Sequence, residues 1–147
     1  MENYEKEIML LSKKHDKLQT LIHYVNKVKL EKEHRLQHRN KAVGIDYITK
    51  DEYNRNLDAN LDNLLKRMKT FSYRPQAVKR VYIPKANGKL RPLGIPSYED
   101  KLVQGVLAKV LNGVYEPRFL DCSYGFRPDR SAHDAIKTIR DIIYKRP

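Results

Sequence analysis

The dipeptide Asn87-Gly88 constrains this chain more than any other feature, because it divides the stretch VYIPKANGKLRPLGIP, from Val81 to Pro96, into two extended runs around a tight reversal. Asn-Gly tolerates the positive φ angles of a two-residue type I′ turn, so the spacing predicts an antiparallel hairpin closed at that point. Pro84, Pro92 and Pro96 each lack a ladder donor, which confines the hairpin to a sheet edge or a projecting ribbon. Lys85, Lys89 and Arg91 then crowd around one tip. Several cations at the end of a two-stranded finger make a mobile clamp for a polyphosphate, and nucleotide or nucleic-acid chemistry is the expectation. The alternative is three exposed cations that serve only solubility.

The charge distribution points the same way. The net charge is +12, and from Asn63 to Tyr98 there is no Asp or Glu, while Lys66, Arg67, Lys69, Arg74, Lys79, Arg80, Lys85, Lys89 and Arg91 fall in that stretch. Nine of the twelve excess charges are therefore local to the hairpin and its approach. A basic block that coincides with a turn tip reads as a polyanion-binding surface, with a solvated face as the alternative. No apolar run is long enough to cross a membrane, and MENYEKEIMLLSKKHDK lacks the apolar centre of a signal peptide, so no membrane partner and a cytoplasmic location are expected. The single Cys122 excludes an internal disulfide and reads as a small packed residue rather than a catalytic thiol.

Periodicity supplies the frame. Ile8, Leu11, Leu18, Ile22, Val25 and Val28 recur at helical spacing with no Pro or Gly before Gly44, which predicts one long amphipathic helix over residues 1–40. Its apolar stripe would pack on the rest of the domain or on a second copy, making a homodimer one option; its lysine-rich outer face is either solvated or in contact with RNA. Three capping-box signatures follow: Thr49 to Glu52, Ser97 to Asp100 and Ser131 to Asp134. They predict helices carrying Tyr53, Leu57, Leu61, Leu64, Leu65 and Met68 on one face, then one to about Val114 and one to about Tyr144. The fold class expected is α+β, helix-rich with one protruding hairpin. His34 and His38 have helical spacing for a metal pair, but with no third ligand in reach no metal site is expected.

Four blocks in order, AVGIDYIT, YRPQAVKRVYIPKANGKLRPLGIP, DKLVQGVL and CSYGFRPDRSAHDAI, make the chain resemble the fingers of group II intron-encoded reverse transcriptases, or maturases, over about two thirds of its length. The resemblance implies a fingers subdomain of a right-hand polymerase over residues 41–147, preceded by an N-terminal extension. It implies as partners intron and template RNA, a DNA primer and an incoming dNTP. It assigns Lys85 and Arg91 to the triphosphate, with Lys89 beside them. Gly125, Phe126 and Arg127 become template contacts; Phe126 could otherwise be core, and Arg127 could otherwise pair with Asp121 or Asp129. Arg74, Lys79 and Arg80 are candidate RNA contacts in the basic stretch. Two positions depart from the family pattern: Tyr47, where a small residue is expected, and Asp129, where Gly is common.

Polymerases of this kind need metal-binding aspartates that hold two divalent ions and activate the primer hydroxyl, so Mg2+ is implied for the full-length enzyme. Those aspartates are expected on palm strands beyond Pro147. Asp121, Asp129, Asp134 and Asp141 adjoin no predicted strand end, so no catalytic residue or cofactor is assigned here, and the segment alone is expected to be inactive. The alternatives are a non-enzymatic intron RNA-binding, splicing-promoting module, and a reverse transcriptase of a retron, diversity-generating or CRISPR-associated system.

Overall fold

A computed structural model describes residues 3–145. Its elements are α1 (Asn3–Lys14), a 3-10 turn (Leu21–Tyr24), α2 (Lys27–Leu36), α3 (Lys50–Arg55), α4 (Leu57–Lys69), β1 (Lys79–Pro84), β2 (Leu90–Ile95), α5 (Tyr98–Tyr115), a second 3-10 turn (Glu116–Arg118) and α6 (Ala132–Lys145). The class is α+β, with β1 and β2 forming a two-stranded antiparallel sheet. Among the described residues no helix is long and apolar enough to cross a membrane. The chain forms two compact units: Thr20–Val110, and the segments on either side of it.

The expected single N-terminal helix is absent, and three pieces stand in its place. Thr20 adopts φ 56°, which a right-handed helix cannot accommodate, and Asn26 starts α2 afresh by accepting a hydrogen bond from the Lys29 N–H at 3.1 Å. The end of α1 is held by Arg118, whose guanidinium donates to the carbonyls of His15 (2.9 Å) and Asp16 (3.0 Å) and to Ser12 Oγ (2.9 Å). Such carbonyls have no partner within the helix, and a cation there also complements the helix dipole. Of the expected apolar stripe, Ile8 is buried in one unit and Val25 in the other, whereas Ile22 and Val28 are exposed; Leu30, outside that stripe, is the α2 residue that enters the core.

The larger unit packs Val25, Leu30, Tyr53, Leu61, Leu64, Tyr98, Leu102, Val103 and Val106 into one cluster. Each such side chain taken from water contributes roughly 1.5–3 kcal/mol, which makes the α2, α4 and α5 faces the frame on which everything else rests. His34 sits inside it at 2% exposure, with Nδ1 2.9 Å from the Tyr98 hydroxyl and Nε2 3.0 Å from Asn54 Oδ1. Both ring nitrogens are occupied, so His34 and His38 do not form a metal pair.

All three predicted N-caps form, but only the one at Ser131 is a reciprocal box; the Glu52 carboxylate does not reach back to the Thr49 N–H. Thr49 Oγ1 accepts from the Glu52 N–H (3.2 Å), and Ser131 and Asp134 cap each other reciprocally, at 2.9 Å and 3.2 Å. Ser97 Oγ accepts from the Asp100 N–H (3.3 Å), but the Asp100 carboxylate turns away to accept from the Tyr73 hydroxyl and from the Gln76 N–H (3.0 Å). That carboxylate therefore ties the irregular segment leading into the hairpin onto α5. Asn56 breaks the expected second helix into α3 and α4.

Candidate nucleic-acid interface

The hairpin tip differs in detail from the expected turn. Gly88 has φ 76° and Asn87 is not at positive φ, so a type I′ turn is excluded. The Gly88 N–H donates to the Lys85 carbonyl (3.0 Å) and the Lys85 N–H to the Lys89 carbonyl (2.7 Å), the pattern of a three-residue loop with a bulge at a left-handed Gly. Asn87 contributes through its side chain, which accepts from the Lys89 N–H at 3.2 Å.

Register decides which side chains meet. Ile83 pairs with Arg91 and Pro84 with Leu90, and the Lys85 to Lys89 bond continues that ladder. Successive residues alternate faces, so Lys79, Val81, Ile83 and Lys85 share one face with Lys89, Arg91, Leu93 and Ile95. Lys85 and Lys89 are direct cross-strand neighbours and Arg91 is the diagonal one, about 7–8 Å away. All three side chains are exposed, and none has an ion pair or side-chain hydrogen bond. Like charges gathered without an acidic partner repel one another, and an anion bound among them relieves that repulsion. Arg80 lies on the opposite face with Tyr82, so the register separates it from the other candidate cations.

The base of the cationic face carries an aromatic residue. Lys79 Nζ lies 4.6 Å from the centre of the Tyr47 ring, and Tyr47 is 67% exposed at φ 55°. The surrounding AVGIDYIT block has a structural task as well. Gly44 backs onto the chain entering α5, where a Cβ would stand 2.8 Å from Ser97 Cα, and Asp46 Oδ2 accepts from the Tyr98 N–H at 2.7 Å. Asp46 is the functional cap that sequence reading missed; its signal was an acid shortly after a Gly, too common to single out.

Of the nine cations in the acid-free stretch, Arg67 alone is ion-paired among the described residues, to Glu99 at 2.5 Å. Arg74 is exposed and donates from Nη1 to the carbonyls of Phe71 and Tyr73, both at 3.0 Å, which leaves its other N–H groups free.

The SYGFRP loop belongs to the other unit and is built around Arg127. Its guanidinium is 6% exposed, contacts Glu116 Oε1 from Nη2 (2.7 Å) and Nε (3.1 Å), donates to the carbonyls of Leu120 (2.9 Å) and Ser123 (2.8 Å), and lies 5.0 Å from the Phe119 ring centre. Its partner is neither Asp121 nor Asp129, the two acids considered from sequence. With four of its five N–H donors engaged, Arg127 holds the loop and presents its neighbour: Phe126 stands fully in solvent at φ 58°. Gly125 faces open space. Asp129 has φ 56°, which accounts for Gly being suited to that position, and the carboxylate side chain is among the few others that tolerate it. Cys122, expected to be packed, is exposed.

The metal implied by the resemblance does not fit the carboxylates present. No three His, Cys, Asp or Glu side chains among the described residues come close enough to hold an ion. Asp134 serves as a helix cap, with its carboxyl held below the usual range by the Ser131 hydrogen bonds, and Asp141 pairs with Arg140 at 3.1 Å. No catalytic step is derived through a metal on these residues.

The fold and site define a class: a small helical scaffold that carries an unpaired cationic hairpin and a separate loop with an outward aromatic. No family model matches the chain. It is 42% identical over 97 residues to Protein YkfC of Escherichia coli strain K12, an alignment spanning 66% of this chain and 26% of that protein. It is also 42% identical over 102 residues to the group II intron-encoded protein LtrA of Lactococcus lactis subsp. cremoris, covering 69% of this chain and 17% of LtrA. A 43-residue stretch is 44% identical to nuclear intron maturase 2, mitochondrial, of Arabidopsis thaliana. The chain therefore belongs to the family of group II intron-encoded reverse transcriptases and maturases, and it spans about a quarter or less of the length of these relatives.

Proposed function

We propose that this segment is the nucleotide- and RNA-binding fingers region of a group II intron-type RNA-directed DNA polymerase. Lys85 and Arg91, with Lys89, contact the triphosphate of the incoming dNTP, while the Tyr47 and Lys79 pair, Arg74 and the outward Phe126 contact template or intron RNA. The observation that carries the reading is the register that sets three cations with no acidic partner on one face of the hairpin tip. Charge-assisted hydrogen bonds from such a cluster stabilise negative charge that grows on the leaving pyrophosphate. Arg127 acts as the residue that holds the template-facing loop. The carboxylates and Mg2+ of the reaction belong to the rest of the enzyme, which also holds the DNA primer end.

The test is steady-state kinetics of the full-length enzyme carrying this segment, with nucleotide varied at saturating primer-template. Lys85→Ala and Arg91→Ala are each expected to lower kcat/KM for nucleotide about ten- to a hundredfold, the loss of one hydrogen bond to a charged group, with little change in duplex affinity. Unchanged nucleotide efficiency with lost duplex affinity would reassign the hairpin to the template.

A further inference from the structure

The C-terminus of α4 holds a feature that neither the hairpin nor the SYGFRP loop explains. The Ser72 N–H donates to the Arg67 carbonyl (2.9 Å) and the Phe71 N–H to the Met68 carbonyl (3.2 Å), which is a Schellman motif with Phe71 in the left-handed position usually given to Gly. Phe71 has φ 56° and is 85% exposed. A bulky aromatic in a strained conformation, showing its ring to water, is unfavourable twice over. Backbone outliers that persist under such conditions concentrate at ligand sites.

The ring borders an open cleft of about 620 Å3 lined by Ile22, Met68, Lys69, Phe71, Tyr73 and Arg74. Tyr73 is fixed as one wall by its hydroxyl bond to Asp100, and Arg74 braces the turn through the Phe71 and Tyr73 carbonyls. A second cavity of about 540 Å3 shares Ile22, Met68 and Lys69, and the acid at its far end, Asp62, is engaged by Lys27 at 2.8 Å. The cleft is thus lined by apolar Ile22 and Met68, by the rings of Phe71 and Tyr73, and by the exposed cations Lys69 and Arg74, neither of which is ion-paired among the described residues.

We infer that this cleft takes an unpaired nucleobase of a single-stranded RNA, stacked on Phe71, with the flanking phosphates on Lys69 and Arg74. Apolar peptides would also fill the cleft, but its cations, in a stretch without acids, complement a phosphodiester backbone and not a neutral segment. The site lies apart from the hairpin tip and would anchor a strand rather than a dNTP. It deepens the RNA-binding reading of the basic stretch and rests on it.

The experiment titrates the 147-residue chain with a uridine dodecamer and with a base-free ribose-phosphate strand of the same length. Wild type is expected to prefer the uridine strand, and Phe71→Gly to lower that affinity about five- to a hundredfold, the range of one stacked base, while binding of the base-free strand and the salt dependence stay put. Because Gly relieves the left-handed strain, the same variant is expected to melt a few degrees higher, so the lost affinity is not a folding defect. Phe71→Trp should show indole quenching on addition of the uridine strand. If both strands bind equally well, or Phe71→Gly keeps the preference, the base site is wrong and the basic-stretch reading stands. If neither strand binds, the basic-stretch reading fails and takes the base site with it. Self-association abolished by Phe71→Gly would make the cleft an interface between copies and overturn the proposal.

Discussion

Replacing Arg127 with Ala is the perturbation that most sharply separates holding the SYGFRP loop from touching nucleic acid. The guanidinium is 6% exposed and its partner Glu116 is 16% exposed, and the deletion leaves the Glu116 carboxylate and two carbonyls without their donor. Breaking a buried ion pair on one side typically costs about 3–5 kcal/mol, since the remaining charge stays desolvated. Loss of the guanidinium over Phe119 adds about 0.5–1 kcal/mol. The expected outcome is a loss of several kcal/mol in urea unfolding, with amide exchange rising over Ser123 to Arg127. Glu116→Gln should cost less, because both hydrogen bonds go to one oxygen, which the amide retains as an acceptor, so mainly the charge is lost; the double variant Glu116→Gln with Arg127→Met should recover much of the loss. The reasoning is refuted if Arg127→Ala unfolds within about 0.5 kcal/mol of wild type and loses only RNA affinity; Arg127 would then be a direct template contact.

His34 gives the larger unit a pH dependence of predictable sign. Burial lowers its pKa below the ordinary 6.5, so the unfolded chain takes up the proton more readily than the folded one. Stability should be full above about pH 6.5 and decline as the pH falls below it; urea midpoints at pH 7.5, 6.5 and 5.5 should show the decline in wild type, and an equal decline in His34→Gln would rule out His34 as its source. Asp46→Ala removes the side-chain cap on the Tyr98 N–H and should cost about 1 kcal/mol, within a range of 0.5–2. An unchanged thermal midpoint would mean that Ser97 alone caps α5.

Much of this protein was legible in local sequence, where one or two neighbours decide the outcome. Asn87-Gly88 announced the hairpin, and Thr49, Ser97 and Ser131 announced three helix starts, because turn and cap chemistry act within a few residues. Tyr47 and Asp129, the two departures from the family pattern, both proved to stand at positive φ, a backbone demand that Gly alone meets without strain; this accounts for Gly at position 129 but not for a small residue at position 47. The remainder was settled by partners distant in sequence. Nothing near Leu18 marks the end of a helix; α1 stops where Arg118, about a hundred residues on, takes its carbonyls, and its apolar stripe is divided between two cores. Asp100 looked like half of a capping box until Tyr73 and Gln76 reached it, and Arg127, read from sequence as a template contact, is engaged in the fold by Glu116, an acid that sequence did not single out. A cation or a carboxylate reads the same in sequence whether it meets solvent, ligand or a buried partner, and only the packed chain assigns which, since desolvation and long-range pairing are properties of the folded surface and not of the residue.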